Sequence, residues 1–246
     1  MPKFSAEKTG PVQSNFGFSA IPLDDLKASE YTLVSIVTDC SGSVSFFAQE
    51  EEKALKEVIS TCRRSPRADN LMVRYTRFNE TVQEVHGFKL LQDCNPSDYD
   101  GSIQASGCTA LYDATIDGVD ALSRYGRDLQ NNDYTANAIL FVITDGGNNA
   151  GKNLSGVSVK PAFQQAIAKE NLESIVTILI GVNVQDPTLS RELQTFSKDG
   201  GFTHYVELKD ATEKSLAKLV SFVSKSISAQ SMSLGTGGPS QQIPTI

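Results

Sequence analysis

The chain has 246 residues, 39% hydrophobic and 21% charged, which fits one large α/β domain with tails or at most two small domains. Its 29 acidic residues outnumber 22 basic ones, and the net charge of −7 argues against general binding of nucleic acid or anionic membranes. The opening MPKFSAEKTGPVQSNF has no apolar leader core, and no apolar run approaches the ~18 residues of a membrane span.

Residues 1–30 mix Pro, Gly, Ser, Asn and charges, and read as an amino-terminal arm able to add an edge strand or stay mobile. A strand is expected from Thr32 to Thr38, apolar and β-branched, followed by the turn Asp39-Cys40-Ser41-Gly42-Ser43. Ser45 is the expected N-cap of a helix through about Cys62, with Phe47, Ala54, Leu55, Val58, Ile59 and Cys62 on one stripe. Glu51 also falls on that stripe, where a carboxylate is out of character; Glu50, Glu51 and Glu52 are read as favouring the positive end of the helix.

Leu71 to Phe78 reads as the next strand, then Val82 to His86 and a possible hairpin extension over Phe88 to Leu91. His86 is expected on the strand surface and His204 in a structural role. A polar loop from Gln92 to Ser106 leads through Gly107-Cys108-Thr109-Ala110-Leu111 into a helix. Ala138 to Thr144 is a continuous apolar strand ending at Asp145-Gly146-Gly147. A helix from Pro161 to about Asn171 precedes the strand Ser174 to Ile180. Asp186-Pro187 starts another helix, Phe202 to Leu208 is the last strand, and Thr212 caps a helix reaching Ile227. The domain is expected to span 31–230, with 231–246 as a flexible tail rich in Gly, Ser and Pro. Strands alternating with helices predict a doubly wound, mostly parallel six-stranded sheet with helices on both faces and one short antiparallel strand.

The sequence offers Asp39, Ser41 and Ser43 at alternating positions after one buried strand, and Asp145 after another. These are hard oxygen donors of the kind Mg2+ or Mn2+ prefers. Open α/β sheets place ligands beyond the carboxyl ends of such strands. The DCSGS segment, the Gly107-Cys108-Thr109 loop and Asp145 resemble, in order and context, the metal-ion-dependent adhesion site of von Willebrand factor A-type domains. The resemblance runs from about Tyr31 to Ile227. It implies a Rossmann-like fold and one divalent cation, Mg2+ with Mn2+ or Ca2+ as alternatives, held by Asp39, Ser41, Ser43, Thr109 and Asp145. It also implies a coordination position left for a partner's carboxylate. Asp113 is expected to orient a neighbour rather than bind metal.

Two carboxylates roughly balance the ion's charge, so the expected role is a non-enzymatic module that captures an Asp or Glu of a protein partner, as an adaptor or scaffold. A metal-dependent hydrolase or phosphoryl-transfer enzyme is the main alternative, but no P-loop, H-E-x-x-H pair or G-x-S-x-G elbow occurs. A structural subunit interacting through its tails is the third reading. Cys40, Cys62, Cys94 and Cys108 show no metal-ligand spacing and read as reduced thiols, with Cys40 and Cys108 possible neighbours. Resemblance to intracellular bacterial and phage members, together with the missing leader, predicts a cytoplasmic location.

Overall fold

The computed structural model describes residues 12–13, 18–236, 238–239 and 243–245, so expectations for the rest of both tails lie outside the described residues. The strands are β1 (Val12–Gln13), β2 (Ser19–Ala20), β3 (Glu30–Asp39), β4 (Leu71–Phe78), β5 (Val82–Leu90), β6 (Thr135–Thr144), β7 (Ile175–Gly181) and β8 (His204–Glu207). The α-helices are α1 (Ala48–Cys62), α2 (Leu111–Gln130), α3 (Val159–Ala168), α4 (Pro187–Gly200) and α5 (Glu213–Met232). One sheet has the order β1-β2-β5-β4-β3-β6-β7-β8. The six long strands match the expected sheet, and two-residue β1 and β2 extend its edge.

β3 lies at the centre, parallel to β4 on one side and to β6 on the other. The chain therefore leaves β3 toward one edge, then crosses back to lay β6 against it. This makes the carboxyl ends of β3 and β6 the point where strand order reverses. β5 runs antiparallel to β4 as a single nine-residue strand, longer than the short hairpin piece expected. Gly87 lets it continue through the break between His86 and Phe88: a Cβ there would lie 1.6 Å from the Ser19 carbonyl oxygen.

Alternation along the central strands divides the core in two. Val34, Ile36, Ile139 and Phe141 face α1 and α5, whereas Leu33, Val37, Leu140 and Val142 face α2, α3 and α4. Residues from Phe18 onward are fixed to the sheet edge. Buried Arg74 pairs with Glu84 and Asp117, while Glu84 accepts from the N–H and hydroxyl of Ser19.

Several local expectations change. Ser45 caps nothing: a 3-10 turn spans Gly42–Phe46, and α1 starts at Ala48 without a side-chain cap. Val44 and Phe47 are buried in the core, so the chain tightens before the helix to bring both inward. His86 is only half-exposed on its strand. It is wedged among aromatic rings with Nε2 2.9 Å from the Tyr99 hydroxyl, and burial lowers its pKa to about 4.

α5 continues past Ile227 to Met232, into the stretch expected to begin a flexible tail. Buried polar side chains explain the extra turn. Asn137 Nδ2 donates to the Gln230 carbonyl at 2.6 Å, and Gln230 Nε2 donates to Ala138 O at 3.1 Å and Ser174 Oγ at 2.9 Å. Replacing Gln230 with Ala strips the two bonds donated by Nε2, to Ala138 O and Ser174 Oγ, while the Asn137 bond to the backbone carbonyl of residue 230 remains. The expected cost is about 1–3 kcal/mol, read as a lowered urea midpoint; an unchanged midpoint contradicts the anchoring role.

Candidate metal centre

β3 ends at Asp39, and the backbone N–H of Ser41 donates back to Asp39 Oδ1 at 2.7 Å, closing an Asx turn over the strand end. From the neighbouring strand end, Thr144 Oγ1 donates to Asp39 Oδ2 at 2.6 Å. Both oxygens of this buried carboxylate are thus held, one by its own turn and one by β6. Ser43 Oγ donates to Asp145 Oδ1 at 2.8 Å, and Ser41 Oγ lies 3.1 Å from Ser43 Oγ. Asp39, Ser41, Ser43 and Asp145 therefore gather at the reversal of strand order.

Thr109 arrives on a third loop that the backbone stitches to the other two. Gly42 N–H donates to Gly107 O at 3.1 Å, and Ser106 N–H donates to Cys40 O at 2.9 Å. Asn149 Oδ1 accepts the Thr109 N–H at 2.6 Å, while Thr109 O accepts from Asn149 and Ala150 N–H groups. Thr109 Oγ1 lies 3.8 Å from where a Cβ on Gly146 would stand, beside Asp145. Gly107 is required at its turn, having φ of +73° and the Glu80 carboxylate packed where a side chain would start.

Asp113, in the first turn of α2, accepts from the Lys152 and Asn153 N–H groups and from Asn153 Nδ2. It orients the loop after Asp145, as expected. His204 stands on β8, and neither histidine hydrogen-bonds to the cluster. Cys40 is a buried free thiol and Cys108 an exposed one, on backbone segments joined by the Ser106–Cys40 bond.

Residues 34–221 match the von Willebrand factor type A domain. The chain belongs to this family. No curated protein matches it in sequence. Among solved structures, the VWA chain resembles the PilB minor pilin from Streptococcus sanguinis, with a TM-score of 0.57, 17% identity, and coverage of 83% of this chain and 63% of that one. It resembles the pilus adhesin SpaC from Lactobacillus rhamnosus GG in its open conformation, with a TM-score of 0.56, 11% identity and coverage of 82% and 30%. Proximal thread matrix protein 1 from the mussel byssus, solved with a zinc-occupied MIDAS motif, gives a TM-score of 0.52, 19% identity and coverage of 81% and 46%. This VWA chain thus spans less than two thirds of each of these proteins, and the likeness is one of fold. Among the described residues, no helix is long and apolar enough to cross a membrane.

The VWA strand ends bring carboxylates together out of water. Burial pushes the Asp39 carboxyl up to about 6, against hydrogen bonds from Thr144 and Ser41 that lower it, and Asp145 adds a further push upward. Burial also raises Asp145, partly offset by the Ser43 hydroxyl. Glu51, missed as a site residue, turns in from α1 and is only 4% exposed. Burial drives it well above the usual carboxylate range, and Asp39 and Asp145 push the same way. Glu50 is exposed and Glu52 pairs with Lys56, so the three glutamates do not act together. The available signal was the position of Glu51 on the apolar stripe.

Among the described residues, no Lys, Arg or His forms an ion pair with Asp39, Asp145 or Glu51, and the Arg77 guanidinium acts on the adjacent Cys40 thiol. Nor do three His, Cys, Asp or Glu side chains gather there in metal-holding geometry. A cation at this point would have to draw on the serine and threonine hydroxyls as well.

In chelator, Asp39 favours the fold below about pH 4, and that contribution is lost as pH rises through its folded-state value of about 6. The displacement from 3.8 corresponds to roughly 3 kcal/mol. The Asp39→Asn variant in EDTA is expected to lose most of this decline between pH 4 and 6.5, measured by chemical denaturation at successive pH values. An undiminished decline contradicts the assignment to Asp39.

Proposed function

We propose that this VWA domain binds a protein partner through a divalent cation held by Asp39, Ser41, Ser43, Thr109 and Asp145. The observation that carries the reading is the pair of strand-end carboxylates, Asp39 buried and Asp145 half-buried, each accepting from a hydroxyl and neither hydrogen-bonded to a cationic side chain. An anion buried without compensation is costly, and a dication at that point removes the cost. Hydroxyl and carboxylate oxygens are hard donors suited to Mg2+, with Mn2+ or Ca2+ as alternatives. When bound, the ion supplies a hard electrophilic point. Asp39 and Asp145 balance its two charges, leaving an Asp or Glu of the partner as the natural further ligand.

The chain's own residues prepare the site. Ser41 and Thr144 fix Asp39, Ser43 fixes Asp145, and the Asn149–Thr109 bond sets the third loop against them. Binding without catalysis is supported by the histidines: His86 is held by Gly87 and Tyr99, and His204 lies on the outer strand β8. A cytoplasmic location stays part of this reading as an expectation from the sequence, while the similar structures include a minor pilin and a pilus adhesin.

Calorimetric titration with magnesium is expected to show one site per chain, lost in Asp39→Ala and Asp145→Ala. The metal is expected to raise the melting temperature more at pH 7.5 than at pH 5, where protons compete for Asp39. Equal stabilisation of wild type and both variants contradicts the assignment.

A further inference from the structure

A cleft of about 930 Å³ runs between α1 and α5. Its floor is apolar, with Ala54, Leu216 and Val220 among the lining residues. At its mouth stands Phe46, 91% exposed in the 3-10 turn and three residues beyond Ser43. Its other upper margin includes Asn183, in the loop that follows β7; within that loop Val182 N–H donates to Thr144 O. Phe46 and Asn183 thus tie the cleft to segments that follow Ser43 and β7 in the chain. Phe46 and the apolar lining of the cleft together offer a contiguous apolar face larger than a lone exposed side chain.

The rim decides what fits. Glu50, Glu57, Asp210 and Glu213 line it, against Lys53 alone. Lys53 is taken by Glu213 at 2.8 Å, and Glu57 by Arg64 at 3.4 Å outside the cleft. Among the described residues, Glu50 and Asp210 have no ion-pair partner. Such a rim repels a second copy of a chain with net charge −7, and it repels anionic lipid. Lysine or arginine on the incoming segment complements it. The walls are two helices packed side by side, a groove into which a third helix lays its apolar face.

We propose that the cleft between α1 and α5 docks a basic amphipathic helix of a protein partner, with Phe46 as the anchor at its mouth. The proposal rests on the metal-site reading only for the idea that one partner covers both; the cleft itself needs no cation.

The test uses the full chain in EDTA, so failure of the metal reading does not affect it. Two fluorescein-labelled helical peptides are titrated by anisotropy, one of leucine and lysine and one of leucine and glutamate in the same pattern. The leucine–lysine peptide is expected to bind and to slow amide exchange in α1 and α5, while the leucine–glutamate peptide does not bind. Phe46→Ser and the double change Glu50→Lys with Asp210→Lys are each expected to weaken binding about tenfold, with circular dichroism unchanged. Equal binding of both peptides, protection spread away from α1 and α5, or full affinity in both cleft variants would overturn the proposal. So would a wild-type dimer that Phe46→Ser turns into a monomer, which would assign the cleft to a second copy.

Discussion

Carboxylates gathered at the carboxyl ends of β3 and β6, with no ion pair to a side chain among the described residues, are the constraint that organises this molecule. Asp39 is 1% exposed, and its two oxygens receive one backbone and one hydroxyl hydrogen bond. Those bonds lower its pKa, yet burial still raises it, so they do not fully offset the loss of water. Asp145 and Glu51 compound the imbalance by standing close enough to repel it and each other. Such a cluster carries a standing electrostatic cost, which a dication placed there would offset.

The sheet makes the arrangement possible. Because β4 and β6 flank β3 on opposite sides, the loops after β3 and β6 meet, and the loop before α2 is drawn across them. Main-chain bonds from Gly42 to Gly107, from Ser106 to Cys40 and from Asn149 to Thr109 join the three loops without calling on an ion. Preorganisation of this type limits the entropy lost when a ligand arrives. The same turn that presents Ser41 and Ser43 also turns Phe46 outward and Phe47 inward, linking the polar centre to the cleft between α1 and α5.

Much of this was legible in the sequence because the central strands are buried on both faces. Runs such as VSIV and AILFVIT stop abruptly at a carboxylate, and the doubly wound order follows from strands alternating with helices. Asp186 and Thr212 cap their helices as their chemistry predicts, accepting from Thr188 and Ser215 N–H groups. What was not legible depended on contacts between distant segments. The end of α5 is held by Asn137, Ser174 and Gln230, polar residues that carry no helical stripe. The inward turn of Glu51 was visible only as an oddity on an apolar face. The 3-10 turn before α1 arises from the burial of Val44 and Phe47, which overrides the capping preference of Ser45.

The central claim is that one hard cation sits where these loops converge. A crystal grown with manganese, measured at a wavelength where manganese scatters anomalously, tests it most directly. The account predicts a single strong anomalous peak enclosed by Asp39, Ser41, Ser43, Thr109 and Asp145, absent from an Asp39→Ala crystal. A map with no peak there, or with the peak at another cluster and unchanged by that substitution, would contradict it.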